Sequence, residues 1–291
     1  MPISSGDIMK LRAQTGAGMM DCKNALEEAG GDMDKAGEIL RKKGIVKAAK
    51  RADKIAAEGL IVIAKSPDLK AAVLVEVNSE TDFVGASPDF KALAEAIAEA
   101  ALENKAESVE AALGAKLASG KTVSEAMSEM SLKVGEKIGV RRAVLVTASS
   151  GIVASYIHGT KIGVLVELEG GAADFGADVA MHVAASNPKY LNREGADQTD
   201  INKEKEIYAE QLRAQKKPEN IIENIVKGKI DKYFGEVCLL EQPFIKDEET
   251  TVGKLAEKNS AKIIRFIRME LGEGIEKKQT DFAAEVKAQL K

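Results

Sequence analysis

Two stretches of this chain read almost alike. Val73-Leu74-Val75-Glu76-Val77 and Val164-Leu165-Val166-Glu167-Leu168 carry apolar residues and one glutamate in the same order. Each is a short apolar run bounded by turn formers, the pattern of a buried strand. Before each lies another strand-like segment, Gly59–Lys65 and Ile152–Ile157. Ser66-Pro67-Asp68 and His158-Gly159-Thr160-Lys161 supply the connecting turns. After each comes an Asp-Phe pair, Asp82-Phe83 and Asp174-Phe175, and then an alanine-rich helical pattern. A hairpin-plus-helix unit used twice constrains the chain to an α+β fold with two related halves.

Other elements flank this core. Residues 1–55 read as three short helices and a linker. Ser4 or Ser5 caps the first helix, Thr15-Gly16-Ala17-Gly18 is a turn, and Gly30-Gly31 stops the second. Asp32 caps a third, which is expected to end at Gly44. So small a core is marginal alone, which suggests a docking module. Lys47, Lys50, Arg51 and Lys54 among alanines predict a basic helical linker. The two core halves are expected over 56–149 and 150–270. Ser87-Pro88 opens a helix in the first half, and Arg141–Thr147 is its third strand. In the second half, residues 200–235 show two helical stripes separated by Lys217-Pro218, an antiparallel hairpin that could pair with a second copy or project into solvent. Ile263–Met269 is a further strand. Residues 271–291 form a C-terminal module: a polar turn at Gly272–Lys278, then Thr280-Asp281-Phe282 and a short helix.

Composition narrows the function. With 291 residues, a net charge of −4 and 30% charged residues, the chain is an ordinary globular protein. That charge argues against general nucleic-acid binding. No signal peptide and no apolar run of spanning length is evident, so the protein is expected in the cytosol, away from membranes. Cys22 and Cys238 stand far apart, and neither His158 nor His182 has a partner at metal-ligand spacing, so no metal or cofactor is expected. Phosphate-loop and nucleophile-elbow signatures are missing, which disfavours an enzyme. His182 reads as a core residue and His158 as an exposed turn residue.

The residues left to carry function are apolar ones in polar places. Only 4% of the chain is aromatic. Phe83 nevertheless sits in a polar turn, Thr81-Asp82-Phe83, at the end of a buried strand, a firm platform for a contact. The alternative is that Phe83 folds back under the sheet. In Met19-Met20, helical spacing aligns Met19 with Cys22 and Leu26 and so assigns it to the core. Met20 is rotated off that stripe and is the better contact.

The run Leu11-Arg12-Ala13-Gln14-Thr15-Gly16-Ala17-Gly18-Met19-Met20-Asp21-Cys22-Lys23-Asn24-Ala25-Leu26 resembles the N-terminal signature of the bacterial elongation factor Ts family. Asn78–Val84, Ser155-Tyr156-Ile157-His158-Gly159 and Met181-His182-Val183-Ala184-Ala185-Ser186 are similar to later family motifs. So are Gly272–Lys277 and Thr280–Val286. The stretch from about Glu103 to Glu129 carries no matching motif. The resemblance implies a ubiquitin-associated-like first domain, a duplicated α+β core with an inserted helical hairpin, and a C-terminal module. It implies a guanine-nucleotide exchange factor whose partner is the GTPase elongation factor Tu. It further implies that Thr81, Asp82, Phe83 and Val84 disturb the partner's magnesium region, and that Met19, Met20, Val134, Gly135 and His158 make other contacts. The competing reading is a plain interaction scaffold that leaves the nucleotide untouched.

Overall fold

The computed structural model describes residues 3–51 and 53–276. Three helices come first: α1 (Ser5–Thr15), α2 (Met19–Glu28) and α3 (Met33–Lys50). Ser4 and Asp7 form a reciprocal capping box at the start of α1. The Asp32 carboxylate accepts from the backbone N–H groups of Asp34 and Lys35, capping α3. Leu11, Cys22, Leu26, Ala36 and Leu40 form the small core, and Leu132, from outside the three helices, packs against it. α3 does not stop at Gly44. Leu132 packs against the three-helix core beside Gly44, whose burial there offsets a glycine helix penalty of about 1 kcal/mol.

The first half of the core follows as β1 (Glu58–Lys65), β2 (Ala71–Ser79), α4 (Asp82–Ala86), α5 (Pro88–Glu103), α6 (Val109–Gly114), α7 (Val123–Val134) and β3 (Gly139–Thr147). β2 lies between β1 and β3, and Ala72 through Ser79 are all buried. A central strand covered on both faces explains its near-continuous apolar run. Ser87 caps α5, with Pro88 in the first turn. β3 begins at Gly139 rather than Arg141.

The second half runs β4 (Ile152–His158), β5 (Ile162–Gly170), α8 (Ala173–Ser186), α9 (Gln198–Ala214), α10 (Glu219–Val237), a 3-10 turn (Leu239–Glu241), β6 (Pro243–Phe244), β7 (Asp247–Thr251), α11 (Val252–Lys258) and β8 (Ala261–Glu270). β4 and β5 pair antiparallel with Ile152 opposite Leu168, and β5 lies between β4 and β8. α8 covers this sheet through Phe175, Val179, Ala180 and Val183. α9 and α10 form the predicted hairpin, with Ile201, Ile230, Tyr233 and Val237 buried near its base. The segment β6–β7–α11 has no counterpart in the sequence-based expectation. Its strands are too short to show a period. Thr280-Asp281-Phe282 and the final helix lie outside the described residues.

By its contacts the chain divides into two compact units. One holds the described residues of Met1–Val62, Val75–Val144 and Glu270–Lys291; the other holds Ile63–Leu74 and Leu145–Met269. The duplication shows in matching details. Gly59 and Gly151 open β1 and just precede β4, both with positive φ, and a Cβ at either would collide with the carbonyl of Val77 or Leu168, the last residues of the two matching runs. Glu76 and Glu167 are both buried and ion-paired, to Arg141 and Arg142 and to Arg265 respectively.

One expected match moves. Asp174-Phe175 stands at the second and third positions of α8, where α5 has Asp89-Phe90, and both phenylalanines are buried. Asp89-Phe90 is therefore the structural counterpart of Asp174-Phe175. Only Gly171-Ala172 separate β5 from α8, whereas residues 80–87, including α4, lie between β2 and α5. Asp82-Phe83 belongs to that inserted element and has no equivalent in the second half.

Candidate partner-docking site

Thr81-Asp82-Phe83 is the start of helix α4 rather than a turn. Thr81 is its N-cap, its hydroxyl oxygen accepting from the Val84 N–H at 3.4 Å. The same hydroxyl donates to Glu136 Oε1 at 2.6 Å, and the Thr81 N–H donates to Glu136 Oε2 at 3.0 Å. Thr81 is thus held by both oxygens of one carboxylate. The Ser79 hydroxyl fixes the Thr81 carbonyl at 2.8 Å. Glu80 reaches the other way: its Oε1 accepts from the Lys137 N–H and from an Arg51 guanidinium N–H, both at 2.6 Å. Burial pushes the Glu80 carboxyl up, but those donors outweigh it and hold the group below its ordinary value. Behind α4, Gly85 is buried with its Cα side against the Gly59 backbone, where a Cβ would come within 3.1 Å.

This scaffold aims the side chains outward. Phe83 is 84% exposed, the largest exposure among the described large apolar residues. The fold-back alternative is therefore excluded, and Phe83 contributes nothing to a core. Asp82 is exposed and Val84 half-buried. An aromatic ring left in water on a segment held by this set of hydrogen bonds forgoes roughly 1.5–3 kcal/mol of burial until something covers it.

Val134 and Gly135 join the same construction. Gly135 ends α7 in the left-handed conformation, its N–H bonded to the Ser131 carbonyl at 2.9 Å. The Ser131 hydroxyl accepts the chain's return by donating to the Glu136 carbonyl at 2.6 Å. That sharp corner swings Glu136 onto Thr81. Residue 134 is half-buried and Gly135 exposed. Lys133 pairs with Asp89 at 2.6 Å, and its methylene stem lies against the Gly16 corner between α1 and α2.

Beyond that corner stand Met19 and Met20, 43% and 64% exposed. The core assignment of Met19 is corrected: Gly18 is the N-cap, and the first turn of α2 extends past the small core, which Cys22, Ala25 and Leu26 fill. A continuous set of contacts thus runs from the α1–α2 corner through the end of α7 to Thr81. Arg51 of the basic linker is likewise spent on Glu80 rather than left open to solvent. His158, exposed at the end of β4, stacks on Tyr156 with ring centroids 6.4 Å apart, in the other unit.

Glu136, Glu80 and Ser79 were not singled out from sequence. Glu136 lies 55 residues from Thr81, and no local pattern marks such a pair. His182 is buried, as read from sequence. Ile245 N–H donates to its Nδ1, which leaves the proton on Nε2 facing Gln242 Oε1 at 3.0 Å. Burial pushes its pKa down, the Gln242 bond partly opposing. It has the geometry of a structural residue. Among the described residues no group of three or more His, Cys, Asp or Glu could hold a metal, and no helix is long and apolar enough to cross a membrane.

Comparison with known proteins gives this surface its context. The family model described as Elongation factor TS matches residues 80–273, beginning at the clamped segment. The chain is 49% identical to the Elongation factor Ts of Methylococcus capsulatus over 291 residues, covering 100% of this chain and 99% of that one. It is 50% identical to the Elongation factor Ts of Halothermothrix orenii over 293 residues, with 98% of each covered. For Azotobacter vinelandii the identity is 46% over 292 residues, covering 99% and 97%. A chain with this α+β fold and these matches is a translation elongation factor. Within that class it belongs to the elongation factor Ts family, whose role is guanine-nucleotide exchange on elongation factor Tu.

Proposed function

We propose that Phe83 is the wedge of this exchange factor, entering between helices of the elongation factor Tu GTPase domain beside its magnesium site. Bound GDP is held by backbone amides and by a magnesium ion that neutralises its phosphates. A ring that seats fully only when those helices part binds the nucleotide-free form better. Linkage then makes GDP bind more weakly by the same factor. No covalent bond is made or broken. Asp82 orients the helix start or competes for the metal's shell, and Thr81 and Val84 set the geometry. Met19 and Met20, exposed and adaptable, dock the three-helix segment on the same domain. Val134-Gly135 and His158 add further contacts. The partner is a protein and not nucleic acid, in keeping with the net charge of −4, and the site of action is the cytoplasm.

The observation that carries this reading is the 84% exposure of Phe83 on a segment held by Glu136 and Glu80. Elongation factor Tu loaded with fluorescent GDP, mixed with this protein and excess unlabelled nucleotide, tests it. Wild type is expected to accelerate release. Phe83→Ala is expected to lose about 10- to 100-fold of that acceleration while still binding, since burying one phenylalanine is worth roughly 1.5–3 kcal/mol and ~1.4 kcal/mol is a factor of ten. A Phe83→Ala protein that exchanges at the wild-type rate would sink the wedge.

A further inference from the structure

We infer that Glu136 is a positioning residue for nucleotide exchange, acting through Phe83; this rests on the wedge reading above. Four observations converge on it. The Glu136 carboxylate takes both the N–H and the hydroxyl of Thr81, the cap of the helix that carries Phe83. Glu80 returns the link by accepting from the Lys137 N–H. The pairs 80–81 and 136–137 therefore clasp each other, each through a carboxylate bonded to the other's backbone. Gly135 and Ser131 fix the corner that presents Glu136. Arg51, just past α3, ties the three-helix segment to the same clasp at 2.6 Å.

The physical role follows from the size of α4. A helix spanning only Asp82–Ala86 cannot sustain its own conformation in water. It holds its shape because its cap is anchored from outside. Charge-assisted hydrogen bonds are shorter and stronger than neutral ones, and two on one carboxylate also fix direction. Without Glu136, the cap residue keeps its bonds to Val84 and Ser79, but its N–H and hydroxyl lose the carboxylate that directs them. Phe83 would then sample many directions, and seating it in the partner would require ordering it at that moment. Positioning lost in this way lowers the rate of the step more than it lowers encounter.

The same fluorescent-GDP release assay, run over a range of concentrations of this protein, separates the two. Glu136→Ala is expected to lower the saturating release rate about tenfold, the effect of losing one strong charged hydrogen-bond set, with little change in the half-saturating concentration. Glu136→Gln keeps one good acceptor oxygen and is expected to fall between Glu136→Ala and wild type. In a Phe83→Ala background, Glu136→Ala should bring no further loss, because there is no ring left to place. If Glu136→Ala melts early, Glu136→Gln carries the same comparison. Full activity of Glu136→Ala, or an equal fold-loss with and without Phe83, would overturn the positioning role while leaving the wedge intact. A wild-type rate for Phe83→Ala alone would remove the wedge reading itself, and the positioning role with it.

Discussion

The two halves of the core leave their central strands by different routes. In the second half, β5 passes through Gly171-Ala172 directly into α8, and Phe175 is 7% exposed against Val179, Leu168 and Phe244. In the first half, β2 is followed by α4, and only after Ser87-Pro88 does α5 bring Phe90 to the equivalent buried position. Phe83, on the extra element, is left in water. One Asp-Phe pair builds a core and the other is held out of it. Phe83 is exposed here because the chain between strand and helix is longer, with polar anchors at both ends. The two halves share a scaffold, and the first alone carries α4 between its central strand and its helix.

The sharpest way to break that comparison is to remove each ring and measure stability. Phe175→Ala is expected to cost about 3–5 kcal/mol in urea unfolding, as other buried aromatic truncations do. Phe83→Ala is expected to stay within roughly 0.5 kcal/mol of wild type. Equal losses would mean that Phe83 is part of a core after all.

The paired glutamates give a finer contrast. Glu76 accepts from the Gly272 N–H at 2.9 Å, from Asn78 at 3.1 Å and from Arg141 and Arg142 at 2.8 and 2.5 Å. Glu167 accepts from the Ser149 N–H at 3.2 Å and from Arg265 at 2.7 Å. Glu76→Gln is expected to cost on the order of 2–3 kcal/mol, because buried donors lose a charged acceptor, and Glu167→Gln less. Thermal melts of the two variants at neutral pH check the order.

The smallest effect is in pH. Burial pushes the Glu76 carboxyl up, but the Gly272 N–H, Asn78 and Arg142 more than offset it, leaving the group below its ordinary value. A carboxyl held down in the folded state contributes stability above its unfolded pKa and loses it as pH falls through the folded one. His182 is also held down, by burial, so it too disfavours acid, but its loss begins below its ordinary value of 6.5. Amide hydrogen exchange is expected to show α8 losing protection first as pH drops from 7 toward 5. β2 and its neighbours should follow only in the carboxylate range. Simultaneous loss in both would show that the halves do not titrate separately.

Much of the architecture was legible along the chain. The repeated apolar runs, the Ser4, Asp32 and Ser87 caps and the stripes of α9 and α10 are local signals, set by a residue's own neighbours. Phe83 stood out because an aromatic in a polar segment is locally anomalous. The misreadings came where local rules were overridden. Gly44 reads as a stop, and packing against Leu132 carried α3 past it. Met19 lies on a core stripe, and the core ends before reaching it. Asp82-Phe83 and Asp174-Phe175 share letters but not positions. By itself the sequence determined the long strands and helices and the duplication of the core, though not α4 or the short β6–β7–α11 segment, since hydrophobic period and turn chemistry act over a few residues. Only the tertiary structure decided that Phe83 faces water and that Glu136, 55 residues away, holds its helix in place. Exposure and long-range hydrogen bonds depend on which distant segments meet, and no residue states that alone.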